Sequence, residues 1–434
     1  MSCQERNTRR EFLRGAAVAG AVVGFPTIIP AAARGADGAV APSNRIVMGF
    51  IGVGSKGTSN MRGFLTLKDV QVVAVCDVDQ THRERAKEAV DDKYGDLGCA
   101  AYLDFRELIG RGDLDAVGLA MPDHWHAIPA IAALRAGLDA YGEKPLARSI
   151  REARAIVNAA ERYDRVWQTG SQQRSTANFR HACELVRNGR IGKVHRVEVG
   201  LGKGTTIPAQ SPKPAPEGLD WDFWLGPAPW RPYCEFTGKG GRCHWAWRWI
   251  LDYSGGQLTD WAGHHIDIAH WGLGLDRTGP IEIEGKGEYP QDGLSTAPAK
   301  FRFTMKYRSG VEITVADDLQ KGVTWYGEDG TIFVTRGKQS TEPASLWRET
   351  IGPGEIHLYE SPEHKRNFLD CVKSRRETAA PAEIGHRSIS AGLLGEIAML
   401  TGRRIHWDPD KEEIMNDAGA AALLGRAYRG PWQL

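Results

Sequence analysis

The feature that most constrains this chain is a glycine-rich turn between a short apolar strand and a predicted helix. Residues 46–51 are an apolar run with β-branched members, typical of a buried parallel strand, and Gly52-Val-Gly54-Ser55-Lys-Gly57 follows directly. Glycines at this spacing permit a tight turn, a close approach of the backbone to a ligand, and close packing of helix on strand. The helix is predicted from about Thr58, and free N–H groups at such a start bind phosphate.

An acidic residue follows at the expected distance. A second strand is predicted at residues 70–75, and it ends in Cys76-Asp77. Asp77 lies about twenty residues after Gly57, where an acid binds the ribose hydroxyls of a dinucleotide. A glycine-rich turn alone is weak evidence because glycine makes up 51 of 434 residues. The complete order of strand, glycines, helix, strand and acid nevertheless predicts a dinucleotide site formed by Gly52, Gly54, Ser55, Gly57 and Asp77.

The rest of the chain divides into two regions of different pattern. Strands and helices alternate over residues 44–169, which predicts an α/β, NAD(P)-binding Rossmann domain with a doubly wound parallel sheet. Residues 170–434 contain a helix, an irregular stretch rich in Pro, Gly and Trp, alternating strands and a helical tail. This pattern predicts an α+β domain with an open, mostly antiparallel sheet.

The N-terminal residues have the pattern of an export signal. Residues 8–14 read TRREFLR, a twin-arginine motif, residues 15–30 are weakly apolar, and residues 31–33 offer an A-x-A-like cleavage site. We therefore expect residues 1–33 to be a twin-arginine signal peptide and residues 34–43 a linker. The protein is then expected in the periplasm or another extracytoplasmic space. An uncleaved anchor and a chance basic tail are the alternatives.

Composition argues against several classes of partner. The formal net charge of +1 gives no electrostatic reason to expect nucleic acid. No apolar run of about eighteen residues follows the N-terminal segment, so no membrane span is expected after signal removal. The seven cysteines contain no C-x-x-C pair, so no zinc knuckle is predicted. Cys234 and Cys243 could pair outside the cytoplasm, although isolated buried thiols are the favoured interpretation.

Polar clusters follow two further strands of the predicted parallel sheet. Pro122-Asp-His-Trp-His126 ends the fourth strand, and Glu143-Lys144-Pro145 ends the fifth. Ligands of such sheets bind outside the carboxyl ends of the strands, so these clusters and the glycine turn are expected to form one site. Lys144 could hydrogen-bond a substrate hydroxyl and stabilise charge that develops on its oxygen. A surface ion pair with Glu143 is the alternative role.

A second informative stretch is Asp260-Trp-Ala-Gly-His264-His265-Ile-Asp267. Asp260, His264 and Asp267 recur at i, i+4 and i+7, on one helical face. A histidine hydrogen-bonded to a carboxylate one turn away is fixed in one tautomer and made more basic, which suits removal of a hydroxyl proton as hydride leaves for a nicotinamide. A metal site with Asp260, His264 and His265 is less favoured, because adjacent histidines point about 100° apart on a helix. A purely structural His–Asp pair is the third interpretation.

Tryptophan is concentrated in one region. Eight of the 14 tryptophans lie between residues 221 and 271. Flat rings pack against the C–H face of a sugar, so the cluster suits a carbohydrate cleft, although core packing is the usual role of aromatic residues. We expect most of them to be structural and a few to line the cleft.

Together these motifs resemble the Gfo/Idh/MocA family of oxidoreductases over nearly all of the chain after the signal. The resemblance implies that Lys144, Asp260 and His264 are catalytic and also contact substrate. It implies that residues 170–434 are the substrate-binding and dimerisation domain, because the family's second domain carries the substrate site and often builds a dimer interface. A homo-oligomer, a dimer or tetramer, is therefore expected. Asp123 stands where many members have Asn, which leaves the fine shape of the pocket open. The residues implied to contact the cofactor, besides the glycine turn and Asp77, are Pro122, His126, Glu143 and Lys144. Further candidates for substrate contacts are Gln172, Gln173 and Arg174, which follow the last parallel strand, and His244 and Arg248.

The resemblance predicts an exported enzyme that transfers hydride between a sugar or polyol hydroxyl carbon and a tightly bound NAD. Asp77 opposes a 2′-phosphate, while His82 and Arg83 leave NADP open. An alternative is a redox-neutral glycoside hydrolase or lyase that acts through a transient keto-sugar. Export favours a cofactor retained through turnover, since no soluble NAD pool exists outside the cytoplasm. A non-catalytic sugar- or nucleotide-binding protein is a third hypothesis, and no metal is expected.

Overall fold

The computed structural model describes residues 40–41, 44–235 and 241–434. The predicted signal peptide lies outside the described residues, as does most of the predicted linker. The chain divides into a unit of residues 1–45 and a unit of residues 46–434, and the second unit holds both sheets. Across the described ranges, none of the helices combines the length and the apolar character that crossing a membrane requires.

The first sheet is parallel and doubly wound. Its strands are β1 (Ile46–Ile51), β2 (Val70–Cys76), β3 (Ala100–Tyr102), β4 (Ala116–Leu119), β5 (Asp139–Gly142) and β6 (Trp167–Thr169). Their order is β3-β2-β1-β4-β5-β6, and every neighbouring pair runs in parallel. The order reverses between β1 and β4, which opens a crevice at the carboxyl ends of these two strands. The predicted fold class of the first region is confirmed.

Three of the five helices described in this region begin at a capping side chain. The five helices are α1 (Ser55–Leu65), α2 (Gln80–Tyr94), α3 (Phe105–Ile109), α4 (Ala127–Arg135) and α5 (Ile150–Arg162). The side chains of Asp79, Asp104 and Ser149 accept backbone N–H groups at the starts of α2, α3 and α5. Helix α1 begins at Ser55, three residues before the predicted Thr58, and Gly54 gives it no side-chain cap. Its first N–H groups are therefore left for a ligand.

The second sheet is mixed and mostly antiparallel, as predicted. Its order is β13-β12-β11-β7-β10-β9-β8-β14-β15, in which only the pair β7 and β10 is parallel among the described strands. The short or polar strands β11, β13, β14 and β15 were not predicted. The nine strands are β7 (Val194–Gly200), β8 (Glu282–Glu288), β9 (Lys300–Lys306), β10 (Glu312–Ala316), β11 (Gly322–Gly327), β12 (Thr331–Thr335), β13 (Lys338–Glu342), β14 (Ile405–Asp408) and β15 (Glu413–Ile414).

A long buried helix connects this sheet to the cavity described below. The helices of the second region are α6 (Ala177–Arg187), α7 (Trp221–Leu225), α8 (Gly241–His244), α9 (Gly256–Leu273), α10 (His364–Ser374), α11 (Ala382–Thr401) and α12 (Ala418–Ala422). Helix α9 is buried along most of its length, on faces that point toward both α11 and the sheet. An all-round buried helix holds its side chains rigidly, which suits a helix that carries site residues.

The C-terminal part of the chain packs back onto the first sheet. The ring of Phe368 in α10 lies 6.1 Å from that of Phe64 and 5.9 Å from that of Tyr141, centroid to centroid. The Gln168 side chain donates to the carbonyl of His364, over 2.6 Å. The helical tail that the sequence predicted is thus part of the core of the nucleotide-binding region as well as of the second domain.

The described cysteines are buried thiols. Cys234 and Cys243 do not form the possible disulfide in the structure. Cys3 lies outside the described residues. Isolated thiols were the favoured interpretation of the sequence.

Candidate active site

A cavity of about 460 Å³ lies at the carboxyl edge of the parallel sheet. Its walls combine the glycine turn and Asp77 from the first domain with residues of α9 and of the second sheet. A volume of this size is typical of small-molecule sites. The predicted sites that line the cavity are Gly52, Gly54, Ser55, Asp77, Pro122, Glu143, Lys144, His244, Arg248, Asp260 and His264.

The glycine turn is built for close backbone approach. A Cβ on Gly57 would lie 1.8 Å from the carbonyl oxygen of Gly52, so the start of α1 can pack on the turn only with glycine there. Gly52 has a φ of +76°, and a Cβ on it would lie 2.8 Å from the Ala120 backbone. A Cβ on Gly54 would meet only His82, at 3.6 Å, so the space in front of Gly54 is open. This arrangement fits a pyrophosphate at the start of α1.

Asp77 is held by the backbone around it. Its Oδ2 accepts the Val53 N–H over 2.8 Å, and its Oδ1 accepts the Asp79 N–H over 3.0 Å. A carboxylate can accept further hydrogen bonds, so Asp77 keeps capacity for ribose hydroxyls. Arg83 donates to the backbone carbonyl of Asp77 over 2.6 Å. The Arg83 guanidinium thus already has a partner, and the Asp77 carboxylate opposes a 2′-phosphate, so these residues fit NAD better than NADP.

Two residues of the strand-end clusters have different roles. Glu143 lines the cavity, is 5% exposed, accepts from Asn60 over 2.8 Å and pairs with Lys56 over 3.2 Å. His126 does not line the cavity: its ring nitrogens lie 2.6 and 2.8 Å from the carbonyl oxygens of Pro145 and Met121. The ring thus joins the ends of two loops, and the structure does not give it the cofactor contact that the resemblance implied.

Lys144 and Asp260 meet across the two domains. The Lys144 Nζ donates to Asp260 Oδ1 over 2.5 Å and to the Asp260 backbone carbonyl over 3.0 Å. Burial alone would raise the pKa of Asp260, but the charge and hydrogen bond of Lys144 lower it below its ordinary value. Asp260 is therefore an anion that holds the lysine in place.

His264 is a neutral imidazole that Asp260 does not orient. Its Nδ1 is buried and has no hydrogen-bond partner among the described residues, whereas the sequence predicted a bond to a carboxylate one turn away. The reason is competition, because Asp260 binds Lys144 and Asp267 binds Arg174. Burial, and then the charges of Lys144 and Arg336, hold the pKa of His264 well below its ordinary value. The ring lines the cavity, which leaves Nε2 as the nitrogen that can meet a ligand.

Two residues that were predicted to contact substrate, Gln173 and Arg174, do not line the cavity. Arg174 is 3% exposed and binds both oxygens of Asp267, over 2.7 and 2.9 Å, and also Asp276. It lies in the core between α6 and α9, not in the cavity. Gln173 is likewise buried and does not line the cavity, whereas its neighbour Gln172 does.

Replacing Arg174 by methionine should destabilise the fold without a direct effect on the site. Removing one partner of a buried ion pair costs about 3 kcal/mol or more, because the other charge stays buried. Arg277→Met, which breaks an ion pair with Glu377 on the exposed surface, should cost about 1 kcal/mol or less. Thermal unfolding of the two variants measures the contrast.

The loss of stability in Arg174→Met should increase as pH rises. Burial raises the pKa of Asp267 above its unfolded value, and Arg174 opposes the rise. A carboxyl group with a raised folded pKa stabilises the fold below its unfolded pKa and loses that contribution as pH rises. The Tm deficit of Arg174→Met should therefore be larger at pH 8 than at pH 5. An equal deficit at both values would contradict this account.

The residues of the possible metal site on α9 do not converge. His265 Nδ1 lies 2.9 Å from the carbonyl oxygen of Gly200, so the ring is directed away from Asp260.

A different group, Asp79, His82 and His244, brings three donor atoms within 4.8 Å of one another. His244 Nε2 lies 3.0 Å from Asp79 Oδ2. The cluster adjoins Asp77, so His244 belongs to the part of the cavity near the dinucleotide turn.

The tryptophan region divides as expected. Trp249 and Trp271 are buried in the core, and Trp230 is 62% exposed. Trp224, Trp247 and Trp261 line the cavity. A few aromatic rings therefore face a ligand, and others are structural.

Several lining residues were not identified from the sequence. Lys56 lies within the glycine turn and Trp261 within the Asp260 motif, so both have a sequence signal by position. Arg336 follows β12 and reaches the cavity only through the fold of the second sheet. No local pattern could have identified it.

Family comparisons agree with this architecture. Residues 46–171 match a Gfo/Idh/MocA model described as an oxidoreductase family, NAD-binding Rossmann fold. Residues 202–434 match a second model of the family, described as an oxidoreductase family, C-terminal alpha/beta domain. The two matches cover the first sheet, every strand of the second sheet except β7, and all the lining residues except Gln172.

Among curated proteins, a glycosyl hydrolase family 109 protein of Shewanella baltica (strain OS185) is 35% identical over 170 residues, which are 36% of this chain and 37% of that protein. An alpha-N-acetylgalactosaminidase of Shewanella oneidensis is 37% identical over 138 residues, 31% of this chain and 30% of that protein. The matched stretch thus spans about a third of these relatives.

Solved structures with the same fold include two sugar-related dehydrogenases. The WlbA dehydrogenase of Bordetella pertussis, in complex with NADH and UDP-GlcNAcA, has a TM-score of 0.61 at 18% identity, over 84% of this chain and 99% of that chain. The scyllo-inositol dehydrogenase of Lactobacillus casei, with NAD(H) and scyllo-inositol, has a TM-score of 0.57 at 16% identity, over 83% and 99%. With a family model on each domain, this chain belongs to the Gfo/Idh/MocA oxidoreductase family, and its N-terminal domain is an NAD-binding Rossmann domain.

Proposed function

We propose that the protein moves hydride between bound NAD and a hydroxyl-bearing carbon of a sugar or polyol. The observation that supports this proposal is that Lys144, Asp260 and His264 share one cavity with the dinucleotide turn and Asp77. Four tryptophans, Trp125, Trp224, Trp247 and Trp261, line the same cavity, which suits a saccharide.

Each of the three residues has a role that its contacts suggest. The Lys144 ammonium, positioned by Asp260, would bind the reacting oxygen and stabilise negative charge as it develops. His264, kept neutral by burial, would accept the hydroxyl proton at Nε2. Asp260 is a positioning residue in this scheme. NAD, when bound, would supply the hydride acceptor.

A second candidate is redox-neutral cleavage of a glycoside. The observation that favours it is the name of the curated relatives, glycosyl hydrolase family 109 and alpha-N-acetylgalactosaminidase. In this scheme oxidation of one hydroxyl acidifies the adjacent C–H, elimination releases the aglycone, and water addition and reduction restore the sugar. The same Lys144 and His264 would serve the oxidation and the final reduction.

Export and assembly belong to the proposal. The twin-arginine motif lies outside the described residues, so export to an extracytoplasmic space stays a prediction. A homo-oligomer stays a prediction as well. A cofactor retained through turnover would let either candidate work outside the cytoplasm.

The first test is the nucleotide content of the purified full-length protein. After denaturation, the released nucleotide is identified by mass and measured by absorbance. We expect NAD(H) close to one per chain, with little NADP(H). A protein that neither contains nor binds nicotinamide dinucleotide would refute both candidates.

The second test separates the two candidates. The protein is incubated with paired aryl glycosides and free sugars in D₂O, and aglycone release and NADH absorbance are followed together. Aglycone release without net NADH, with deuterium at the carbon next to the oxidised one, indicates redox-neutral cleavage. NADH that accumulates in proportion to a keto product, without aglycone release, indicates a dehydrogenase.

A further inference from the structure

The substrate side of the cavity carries positive charge that the protein does not neutralise. Arg248 and Arg336 line the cavity, together with the Trp261 ring. The Lys321 ammonium lies 3.2 Å from the centroid of that ring, and the Arg336 guanidinium lies 4.7 Å from it. Arg248 lies 4.5 Å from the Trp247 ring centroid. Contacts of this kind hold cations in position but leave their charge exposed to a ligand.

None of these three cations has a carboxylate partner in the described part of the chain. The side chains of Arg248, Lys321 and Arg336 form no ion pair or hydrogen bond there, in contrast to arginines such as Arg148 and Arg154, which bind glutamates. Asp260 is the carboxylate whose charge acts on all three. It is already paired with Lys144 over 2.5 Å, so a single anion faces four cations.

The dinucleotide does not account for this charge. Its phosphates are provided for by the glycine turn and the start of α1, which belong to the first domain. Arg248, Lys321 and Arg336 come instead from the second domain: Arg248 precedes α9, Lys321 precedes β11 and Arg336 follows β12. Arg248 and Arg336 line the cavity that Asp260 and Trp261 also line, and Lys321 lies over the Trp261 ring. A substrate would meet Lys144 and His264 in the same cavity.

Uncompensated cations close to one another repel, and a ligand anion would relieve the repulsion. Burial, and then the charge of Arg336, lower the pKa of Lys321. A guanidinium group can bind two oxygens of a carboxylate or sulfate group through two N–H donors, and an adjacent ammonium adds a third donor. The arrangement is therefore a receptor for an anionic substituent, in which the Trp261 ring holds two of the cations in place.

We infer that the substrate is an anionic saccharide, whose carboxylate or sulfate group is bound by Arg336, Lys321 and Arg248 beside Trp261. This inference rests on the proposed function for the position of the sugar at Lys144 and His264. It adds the chemical class of the substrate, which distinguishes the protein from enzymes of neutral sugars. Because the anion is bound before any reaction takes place, a measurement of binding affinity tests the inference without turnover.

The test is calorimetric titration of the full-length, NADH-loaded protein with matched sugars, in a buffer free of sulfate and phosphate. The pairs are D-glucuronate with D-glucose, D-galacturonate with D-galactose, and N-acetylglucosamine 6-sulfate with N-acetylglucosamine. We expect at least one anionic member to bind about tenfold more tightly than its neutral partner, as expected for hydrogen-bonded charge pairs. The preference should weaken as salt rises from 50 to 300 mM.

Charge-changing variants show whether these residues cause the preference. Arg336→Gln and Lys321→Gln should each lower the ratio of anionic to neutral affinity by about threefold to tenfold, and Arg336→Glu should abolish it. The matched control is Lys286→Glu, since Lys286 is an exposed, unpaired lysine on β8 at the other side of the same sheet. It should leave the ratio unchanged.

The outcomes separate this inference from the proposed function. An affinity ratio near one in every pair, no binding of any anionic sugar, or a preference that survives Arg336→Glu would overturn the inference. An anion preference in a protein that shows no hydride transfer or glycoside cleavage would refute the proposed function and leave the receptor standing. A preference for the carboxylate pairs alone, or for the sulfate pair alone, identifies the anion.

Discussion

Replacing Lys144 by methionine is expected to lower kcat by about 10²- to 10³-fold, the loss typical when one charge-stabilising donor is removed from an active site. Methionine keeps much of the volume and removes the ammonium that contacts Asp260 over 2.5 Å. The reaction is followed by nicotinamide absorbance at saturating substrate, or by aglycone release if cleavage is redox-neutral. Bound nucleotide is measured in the same samples, so that cofactor loss is not read as lost chemistry.

The Lys144→Met change also leaves Asp260 without its partner, so an effect on folding stability must be separated from an effect on catalysis. The double variant Lys144→Met/Asp260→Asn removes the unpaired carboxylate and should restore the Tm but not the rate. Lys300→Met, which breaks an exposed ion pair with Glu288, is the matched lysine control and should retain turnover. A kcat within threefold of the native value in Lys144→Met, at equal nucleotide content, would refute the assigned role.

Replacing His264 by asparagine should lower kcat/KM by about 10²- to 10⁴-fold, because a general base is lost. His265→Asn is the control on the adjacent residue, since asparagine can keep a hydrogen bond to the Gly200 carbonyl that His265 now makes. We expect that variant to affect thermal stability more than turnover. Equal losses in both variants would indicate that packing of α9, and not proton transfer, explains the effect.

The pH profile gives an independent signature of His264. Burial and the charges of Lys144 and Arg336 depress its pKa, so the imidazole stays neutral as pH falls through the range where histidine ordinarily becomes protonated. Native kcat/KM should therefore stay level from pH 8 to pH 6 and decline only at lower pH. Arg336→Gln removes one of the depressing charges and should shift the acid limb to higher pH. An acid limb centred on the ordinary histidine pKa in the native protein would contradict this assignment.

The first domain was predictable because its signals are local. The glycine turn, Asp77 and the capped start of α5 each follow from neighbouring residues, and their placements agree with the structure. The bond predicted between Asp260 and His264 was wrong for the opposite reason. Helical spacing brings the two residues near each other, but Lys144, 116 residues away in sequence, competes successfully for the carboxylate.

The cations of the second domain show more clearly which site residues could not be predicted from local sequence. Lys321 and Arg336 reach Trp261 only because β11 and β12 pair in the register that the structure reveals. The sequence around each contains no motif, and β11 was not predicted at all. Arg174 illustrates the same point in reverse, since its place after β6 suggested a ligand contact while Asp267 and Asp276 bind it in the core.

The packing of α10 on the first sheet also bears on how the protein is made. Residues 364–374 cover a face of the first domain that includes Phe64 and Tyr141, and Arg366 binds Asp69 over 2.7 Å. All the residues that form the core of the nucleotide-binding domain are therefore present only after most of the chain has been synthesised. A fragment that ends at residue 169 would leave that face of the first domain uncovered. We therefore expect the nucleotide-binding domain to finish folding only after the chain has been synthesised as far as α10.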